Sequence, residues 1–181
     1  MMHAQRLTFG GAGASLAETK LHARIDFSDD DAAISAMLSA ATRDLEEFAG
    51  IALLTQTIRV RILDGWPLTR VIHLPIGPVQ DGASVAVTAD GETFAGFDLW
   101  PGQRARLILT DDLSTDLAAA ELVIEYPAGF GGLENVPDDL RLAVMDQTSA
   151  LYDARGPGNP KTLALSPHAA RIAARYRGVR L

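Results

Sequence analysis

Two kinds of hydrophobic spacing divide the chain into helical and strand-like stretches. Between residues 28 and 50, apolar side chains recur every three or four residues, as they do on one face of an α-helix. These side chains are Ile34, Met37, Leu38, Ala41, Leu45 and Phe48. Gly50 follows where a left-handed helix C-cap is expected. From residue 57 the pattern changes to alternating polar and apolar residues, so a helical region is predicted to pass into β structure.

A shorter helix is predicted just before this one. Ser15 and Glu18 have the spacing of a capping box, in which each side chain bonds an otherwise unpaired backbone N–H group. That helix is expected to run to about Ala23. Ser28 and the three aspartates after it repeat the capping signal, and acids in a first turn suit the positive end of a helix dipole. Residues 15–50 are therefore predicted to form a helical hairpin.

The next region is predicted to be antiparallel β structure. Short strand-like segments alternate with turn-forming residues, at positions 57–63, 71–74, 84–88, 93–99, 104–110 and 121–126. Asp90-Gly91 between two of them is a strong signal for a two-residue hairpin turn. This spacing predicts a small antiparallel sheet or barrel.

Helical sequence returns at Pro137, where a proline followed by Asp138 and Asp139 is typical of a first helical turn. The predicted inner face comprises Leu140, Ala143, Val144, Gln147 and Leu151. Glycines and prolines between residues 155 and 160 end this helix, and Ser166-Pro167 is expected to open a last one.

These elements predict an α+β fold in which a small helical bundle is interrupted by an antiparallel insertion. Residues 15–50 and 137–155 would form the bundle, and residues 51–136 the β-sheet or barrel. Residues 1–14 are expected to be a flexible arm, and residues 156–181 a Gly/Pro break followed by a basic C-terminal helix. Helices this few and short leave apolar stripes that a single copy covers poorly, which favours self-assembly.

Charge is distributed unevenly over the 181 residues, whose formal net charge is −7. Residues 1–140 contain 9 Lys/Arg against 21 Asp/Glu, a net charge of −12, whereas residues 141–181 contain 7 against 2, a net charge of +5. An acidic body disfavours wrapping duplex DNA, which requires several cations on one face. The chain has no cysteine, which excludes disulfides, thiolate catalysis and cysteine-bound zinc. No apolar run approaches the roughly 18 residues of a membrane span, so a cytoplasmic protein is expected.

The titratable residues predict no catalytic, cofactor or metal site. His3, His22, His73 and His168 are scattered without a metal-binding spacing, and neither a nucleophile elbow nor a phosphate loop is present. The aspartates between residues 26 and 31 lack the glycine and glutamate of an EF-hand loop, and helix capping explains them. Trp66 and Trp100 each precede a proline. Both are expected to fill the core or edge of the sheet, with an exposed aromatic at a subunit contact as the alternative.

The C-terminal tail is the candidate binding segment. Its arginines have no acid among them from residue 168 onward, and apolar residues alternate with them. This pattern fits either a solvated basic face or a detachable amphipathic end that docks on an acidic groove of a partner. The docking candidates are Arg171, Ile172, Arg175, Tyr176, Arg177, Arg180 and Leu181.

Taken in order, several segments resemble the head-tail connector, or adaptor, family of tailed phages. The branch concerned carries a β insertion and also occurs in gene transfer agents. The matching segments are residues 21–26, 29–31, 40–43, 46–50, 53–57 (Leu-Leu-Thr-Gln-Thr), 74–79 (Leu-Pro-Ile-Gly-Pro-Val), 126–131 (Tyr-Pro-Ala-Gly-Phe-Gly) and 136–140 (Val-Pro-Asp-Asp-Leu). Their order and spacing, rather than any single motif, carry the resemblance.

The resemblance implies a structural ring, usually of twelve copies, with no enzymatic activity and no cofactor. Such a ring lies beneath the portal protein, contacts a tail-side stopper or terminator protein, and leaves a channel through which DNA passes without specific binding. The protein would assemble in the bacterial cytoplasm and end in a virion or phage-like particle, with the basic tail as the expected portal-docking end. A stopper or tail-terminator ring, or a small ligand-binding β domain, are the alternatives. The residues do not distinguish a phage from a gene transfer agent.

Overall fold

The computed structural model describes residues 1–63, 70–110, 121–155 and 165–178. The chain divides into two compact units, each built from two separate stretches of sequence. The β unit comprises Met1–Gly10 and Thr55–Phe130, and the helical unit comprises Gly11–Leu54 and Gly131–Leu181. The segments 156–160, Asp64-Gly65 and Trp66 lie outside the described residues, as do the tail positions Arg180 and Leu181.

The described part of the β unit contains two open antiparallel sheets and no closed barrel. Its strands are β1 (Met2–Arg6), β2 (Gln56–Ile62), β3 (Val71–His73), β4 (Ala86–Ala89), β5 (Glu92–Thr93), β6 (Phe97–Trp100), β7 (Arg106–Leu109) and β8 (Leu122–Ala128). Five strands form one sheet in the order β1-β2-β8-β4-β5, and three form the other in the order β3-β7-β6. The predicted α+β class is confirmed.

The larger sheet follows the predicted alternation. Along β2 the even-numbered residues are buried, and Ile58 and Val60 are fully enclosed. The predicted hairpin joins β4 to β5, where Asp90 and Gly91 have φ angles of 49° and 85°. Positive φ at both central residues is what a type I′ turn requires, and Asp-Gly tolerates it.

The N-terminal segment differs from the expected flexible arm. Residues 2–6 form the edge strand β1, which pairs antiparallel with β2 from Met2 opposite Ile62 to Arg6 opposite Ile58. The Arg6 Nη1 group also donates a hydrogen bond of 3.1 Å to Gln56 Oε1. The backbone of β2 supplies the partners that stabilise this segment, and those partners are distant in sequence.

The expected strand over residues 93–99 is also different. It is interrupted after Thr93, and β5 and β6 belong to different sheets. An Ala95-Gly96 pair lies in the interruption, where the Phe97 N–H group donates to the Ala95 carbonyl at 2.9 Å. This local bond turns the chain, so it leaves one sheet before entering the other.

The described part of the helical unit contains four α-helices and a short 3₁₀ turn. They are α1 (Leu16–Ala23), α2 (Asp31–Ala49), the 3₁₀ turn (Leu133–Asn135), α3 (Asp138–Asp153) and α4 (Pro167–Tyr176). The capping box at Ser15 and the left-handed C-cap at Gly50, with φ 67°, are both present as predicted. Large apolar side chains from three helices and the segment after α2 form the core: Ile34, Leu38, Leu45, Ile51, Leu53, Leu140, Val144 and Ile172.

The second predicted cap is wrong. Helix α2 begins at Asp31 with Asp30 as its N-cap, and the Asp30 side chain makes no capping hydrogen bond. Its carboxylate instead accepts hydrogen bonds from Tyr152 in the last turn of α3 and from Arg155 just after that helix. A charge-assisted tertiary contact has replaced the local cap that the sequence pattern favoured.

Candidate partner-binding surfaces

Ion pairs between helix ends hold the helical unit together. Lys20 Nζ on α1 contacts Asp31 Oδ1 on α2 at 2.6 Å, and Arg141 on α3 contacts Glu18 on α1. Glu18 also completes the capping box, where hydrogen bonds from the Ser15 side chain and backbone lower the pKa of its carboxyl group. The acidic positions that the sequence offered as helix caps therefore connect helices as well.

Asp30 is the most connected of these acids. Its Oδ2 atom accepts a hydrogen bond of 2.7 Å from the Tyr152 hydroxyl and one of 3.0 Å from Arg155 Nη2. The Arg155 guanidinium also stacks over the Tyr152 ring, at 3.7 Å from its centroid. The hydrogen bond from Arg155, and next the one from Tyr152, lower the pKa of the Asp30 carboxyl group.

Because the pKa of Asp30 is lowered in the folded protein, the ionised Asp30 carboxylate stabilises the fold above its unfolded-state pKa of about 4. This stabilisation is lost as the pH falls through the lower pKa that Asp30 has in the folded protein. We expect the melting temperature of the wild-type protein to exceed that of D30N at neutral pH. The gap should close between about pH 5 and pH 3. Circular dichroism melts across this range provide the measurement.

A D153N variant, altered at an exposed aspartate at the end of α3, should follow the wild-type curve. A gap between wild type and D30N that does not change with pH would contradict the assignment.

Helix α4 packs against α2 and α3, so the basic tail is not detached over residues 167–176. Three of its side chains are buried, namely Ala169, Ile172 and Ala173. Its N-terminus is fixed by Gln147 Oε1, which accepts a hydrogen bond of 2.7 Å from the Ser166 N–H group. Gln147 is fully buried on α3, as its predicted inner-face position requires.

The C-terminal end of α4 is fixed by one carboxylate. Asp139 on α3 accepts a hydrogen bond of 2.8 Å from the Tyr176 hydroxyl and one of 2.9 Å from Arg175 Nη2. Burial, and then the hydrogen bond to Asp139, raises the pKa of Tyr176 to about 12. Two of the predicted docking residues thus make contacts within the helical unit.

The remaining docking candidates differ in exposure. Ile172 is 2% exposed and belongs to the core, so it is not a surface anchor. Arg177 is exposed, and its guanidinium lies 5.4 Å from the ring centroid of Phe48, a residue predicted on the inner face of α2 but 37% exposed. Arg171 is exposed, and among the described residues the structure shows no ion pair for it. The basic surface of α4 therefore centres on Arg171 and Arg177.

A second surface, which the sequence pattern did not reveal, is the outer face of the three-stranded sheet. His73, Arg106 and Trp100 are directly paired across its strands and so share one face. The Arg106 guanidinium lies 5.2 Å from the Trp100 ring centroid, and Trp100 is 53% exposed. On the opposite face, Ile72 and Leu107 are buried. Only the register of β6, β7 and β3 brings these three residues together.

In the described part of the chain, no three or more His, Asp and Glu side chains come close enough to hold a metal ion. The aspartates of residues 26–31 do not form such a group, since Asp30 and Asp31 are used in the interhelical contacts. Among the same residues, none of the helices has the length and hydrophobicity to span a bilayer.

Comparison with known families agrees with the helical hairpin and the start of the β unit. Residues 13–80 match the family model of phage gp6-like head-tail connector proteins. This stretch contains α1, α2, β2 and β3, together with six of the eight segments that suggested the resemblance, from residues 21–26 to residues 74–79. The resemblance predicted from the sequence is confirmed: over this stretch the chain is similar to head-tail connector proteins.

Solved structures extend the similarity to nearly the whole chain. A chain in the virion of a native gene transfer agent particle is 26% identical, with a TM-score of 0.77 over 98% of this chain and 96% of that one. Two further chains, both 24% identical, share the fold. One is in the neck of an empty gene transfer agent particle computed with C6 symmetry, with a TM-score of 0.77 over 99% of this chain and 97% of that one. The other is in the neck of a native particle computed with C12 symmetry, with a TM-score of 0.75 over the same shares. A search of curated proteins finds no significant match.

Proposed function

We propose that the protein is a head-tail adaptor, a ring between the portal and the tail-side proteins of a phage or phage-like gene transfer agent particle. The family match over residues 13–80, joined to a fold similarity that covers almost the entire chain, carries this proposal. Fold relatives occur in particle necks with C6 and C12 symmetry, which supports a ring of twelve copies. The role is structural, with no enzymatic activity and no cofactor.

The charge of the body suits a channel for DNA. Residues 1–140 have a net charge of −12, and a negatively charged ring wall repels the phosphate backbone instead of binding it. DNA would then pass the ring without specific contacts. We infer that the chain is made and assembled in the bacterial cytoplasm and remains in the finished particle, in contact with a stopper or terminator protein on its tail side.

The basic surface of α4 is the proposed contact with the portal. Its described members are the exposed Arg171 and Arg177. Arg180 and Leu181 stay docking candidates from the sequence alone, because they lie outside the described residues. Arg175 and Tyr176 hold α4 in place through Asp139 and would support this surface from behind. Ile172 supports this surface indirectly, because its buried side chain packs α4 against the core of the helical unit. Arginine with neighbouring aromatic residues is the composition expected of an interface that meets an acidic partner.

Reversing the charge at Arg171 should test this contact without unfolding the protein. We expect R171E to weaken binding to the portal protein by about tenfold or more, because a like-charge contact at an interface strongly disfavours association. Affinity can be measured by interferometry with immobilised portal. The matched control is R43E, which reverses another exposed arginine of the helical unit, on α2. Equal affinity for R171E and R43E would exclude Arg171 from the portal contact.

Whole-particle assembly tests the adaptor function itself. Cells that lack the gene should produce filled heads without attached tails, and the wild-type gene should restore tailed particles. A normal yield of tailed particles from the deletion strain would show that the protein is not the adaptor. Deleting residues 156–181 would be less informative, because it removes buried core residues of α4 together with the basic surface.

A further inference from the structure

We propose that the outer face of the three-stranded sheet binds the α1–α2 turn of the neighbouring copy, so that these two surfaces form the lateral contact of the ring. This inference rests on the proposed ring function and specifies which residues hold the ring together. It concerns the outer face of the three-stranded sheet and the exposed side chains of the α1–α2 turn.

The first surface, the sheet face, presents an arginine stacked on a tryptophan. Its central row consists of His73, Arg106 and Trp100, one residue from each strand. A second row places Val71, Ile108 and Asp98 beside it, of which the first two are half-buried. Stacking on Arg106 restricts the Trp100 ring, so binding would lose little side-chain freedom. Trp and Arg are also the residue types most enriched among the residues that dominate interface energies.

The second surface, the α1–α2 turn, is acidic and apolar. Leu21 at the end of α1 is 81% exposed, and Phe27 in the connection is 47% exposed. Asp26 and Asp29, both exposed, flank Phe27 in sequence. The turn is held in place by two local features, the Lys20–Asp31 ion pair and the left-handed Arg24, whose N–H group bonds back to the Leu21 carbonyl. Leu21 and Phe27 are the two large apolar side chains that this turn exposes.

Opposite charges on the two surfaces point to a second copy as the occupant. The sheet face offers the Arg106 guanidinium beside the Trp100 indole, with Asp98 in the second row, and the turn offers Asp26 and Asp29 with an aromatic ring and a leucine. Each copy carries both surfaces, and the two surfaces are different. A contact between unlike surfaces of identical chains is heterologous, and it closes into a ring when the rotation between copies is suitable. This is the type of contact that a symmetric neck ring requires.

The test uses charge reversal on both sides of the contact. Particle-producing cells that lack the gene are supplied with R106E, with D26K, or with a chain carrying both changes. Each single variant should lower the yield of tailed particles by about tenfold or more, because like charges would face each other at every subunit contact. The double variant should recover the yield, because the carboxylate introduced on the sheet face of one copy would then meet the ammonium group introduced on the turn of the next.

Supplying the two single variants together gives the sharpest outcome. A ring in which R106E and D26K chains alternate has two kinds of contact. In the first, the reversed sheet face of an R106E chain meets the reversed turn of a D26K chain, and the two charges are opposite. In the second, two unchanged surfaces meet. Rings of strictly alternating chains should therefore form, and tailed particles should return. Neither variant could be rescued in this way if it were unfolded. Matched controls are E92K on β5 and D44K on α2, two exposed acids away from both surfaces, and both should give wild-type yields.

Three results would overturn the proposal: wild-type yields from the single variants, no recovery by the double variant, or recovery by the double variant without recovery by the mixture. The last result would place the contact within one copy. If deletion of the whole gene left tailed particles at the normal yield, the adaptor function itself would be wrong, and the inter-copy contact with it.

Discussion

The I172A variant is expected to destabilise the helical unit by about 3 kcal/mol, the usual cost of truncating a buried isoleucine to alanine. Ile172 is 2% exposed and lies between two other buried residues of α4, Ala169 and Ala173. The helix has few other apolar side chains to hold it against α2 and α3. Removing this one should therefore loosen the whole of α4 and weaken the surface that carries Arg171.

Hydrogen exchange followed by mass spectrometry would measure this effect segment by segment. Peptides from α4 and from the facing parts of α2 and α3 should lose protection in I172A. The matched control is R171A, one residue away and exposed, which should change the free energy of unfolding by no more than about 0.5 kcal/mol. If I172A and R171A showed the same hydrogen exchange, α4 would not be packed on the helical unit in solution. The detached basic tail predicted from the sequence would then be correct.

Three local signals in the sequence were sufficient guides to the structure. The capping box at Ser15, the C-cap at Gly50 and the Asp90-Gly91 hairpin each depend on a few adjacent residues, and all three are present in the structure. The apolar spacing of α2 placed Ile34 and Leu45 in the core for the same reason. The resemblance to head-tail connectors also rests on short segments, taken in their order along the chain, and it is confirmed.

Two of the errors concern contacts between residues far apart in sequence. The strand β1 exists because β2, more than fifty residues later, provides its backbone partners, and residues 2–6 carry no turn or strand signal of their own. The Asp30 carboxylate could have capped α2, but Tyr152 and Arg155 use it instead. Such competition between a local and a tertiary partner is not visible in the pattern of a single chain.

The distinction between local signals and contacts made by distant residues also applies to the candidate surfaces. The run of basic residues in the tail is visible in the sequence, but its amphipathic spacing fits packing on the same chain as well as docking on a partner. The structure divides the predicted residues accordingly, with Ile172 in the core and Arg171 on the surface. The row formed by Trp100 and Arg106 depends on strand register, so no sequence motif could have indicated it.

The second large effect is expected from G77A, in the loop that joins β3 to the rest of the β unit. A Cβ atom at residue 77 would lie 2.2 Å from the backbone carbonyl oxygen of Gln103, far inside van der Waals contact. A backbone atom cannot rotate away as a side chain can. One of the two segments would therefore have to move, and overpacking of this kind costs about 1–3 kcal/mol or more.

Hydrogen bonds on both sides of Gly77 make such a movement costly. The Leu74 N–H group donates to the Ala105 carbonyl at 2.9 Å, and the backbones of Val79 and Gly102 exchange two hydrogen bonds of 3.0 and 2.8 Å. The hydroxyl of the buried Tyr126 donates to the Ile76 carbonyl at 3.1 Å. A shift of the loop would strain or break several of these bonds together, so the cost of G77A belongs at the upper end of that range.

G178A provides the matched control, because a Cβ atom at that glycine would meet nothing within 4 Å. Hydrogen exchange should show a loss of protection in G77A that is largest across residues 70–110 and smaller in the helical unit, since local contacts fail first near the clash. G178A should match the wild type throughout. If G77A were as stable as G178A, the loop at residues 74–79 would not be held against the segment around Gln103. The sheet face with Trp100 and Arg106 would then lack the rigid support that a ring contact needs, because Ala105 in that segment directly precedes β7.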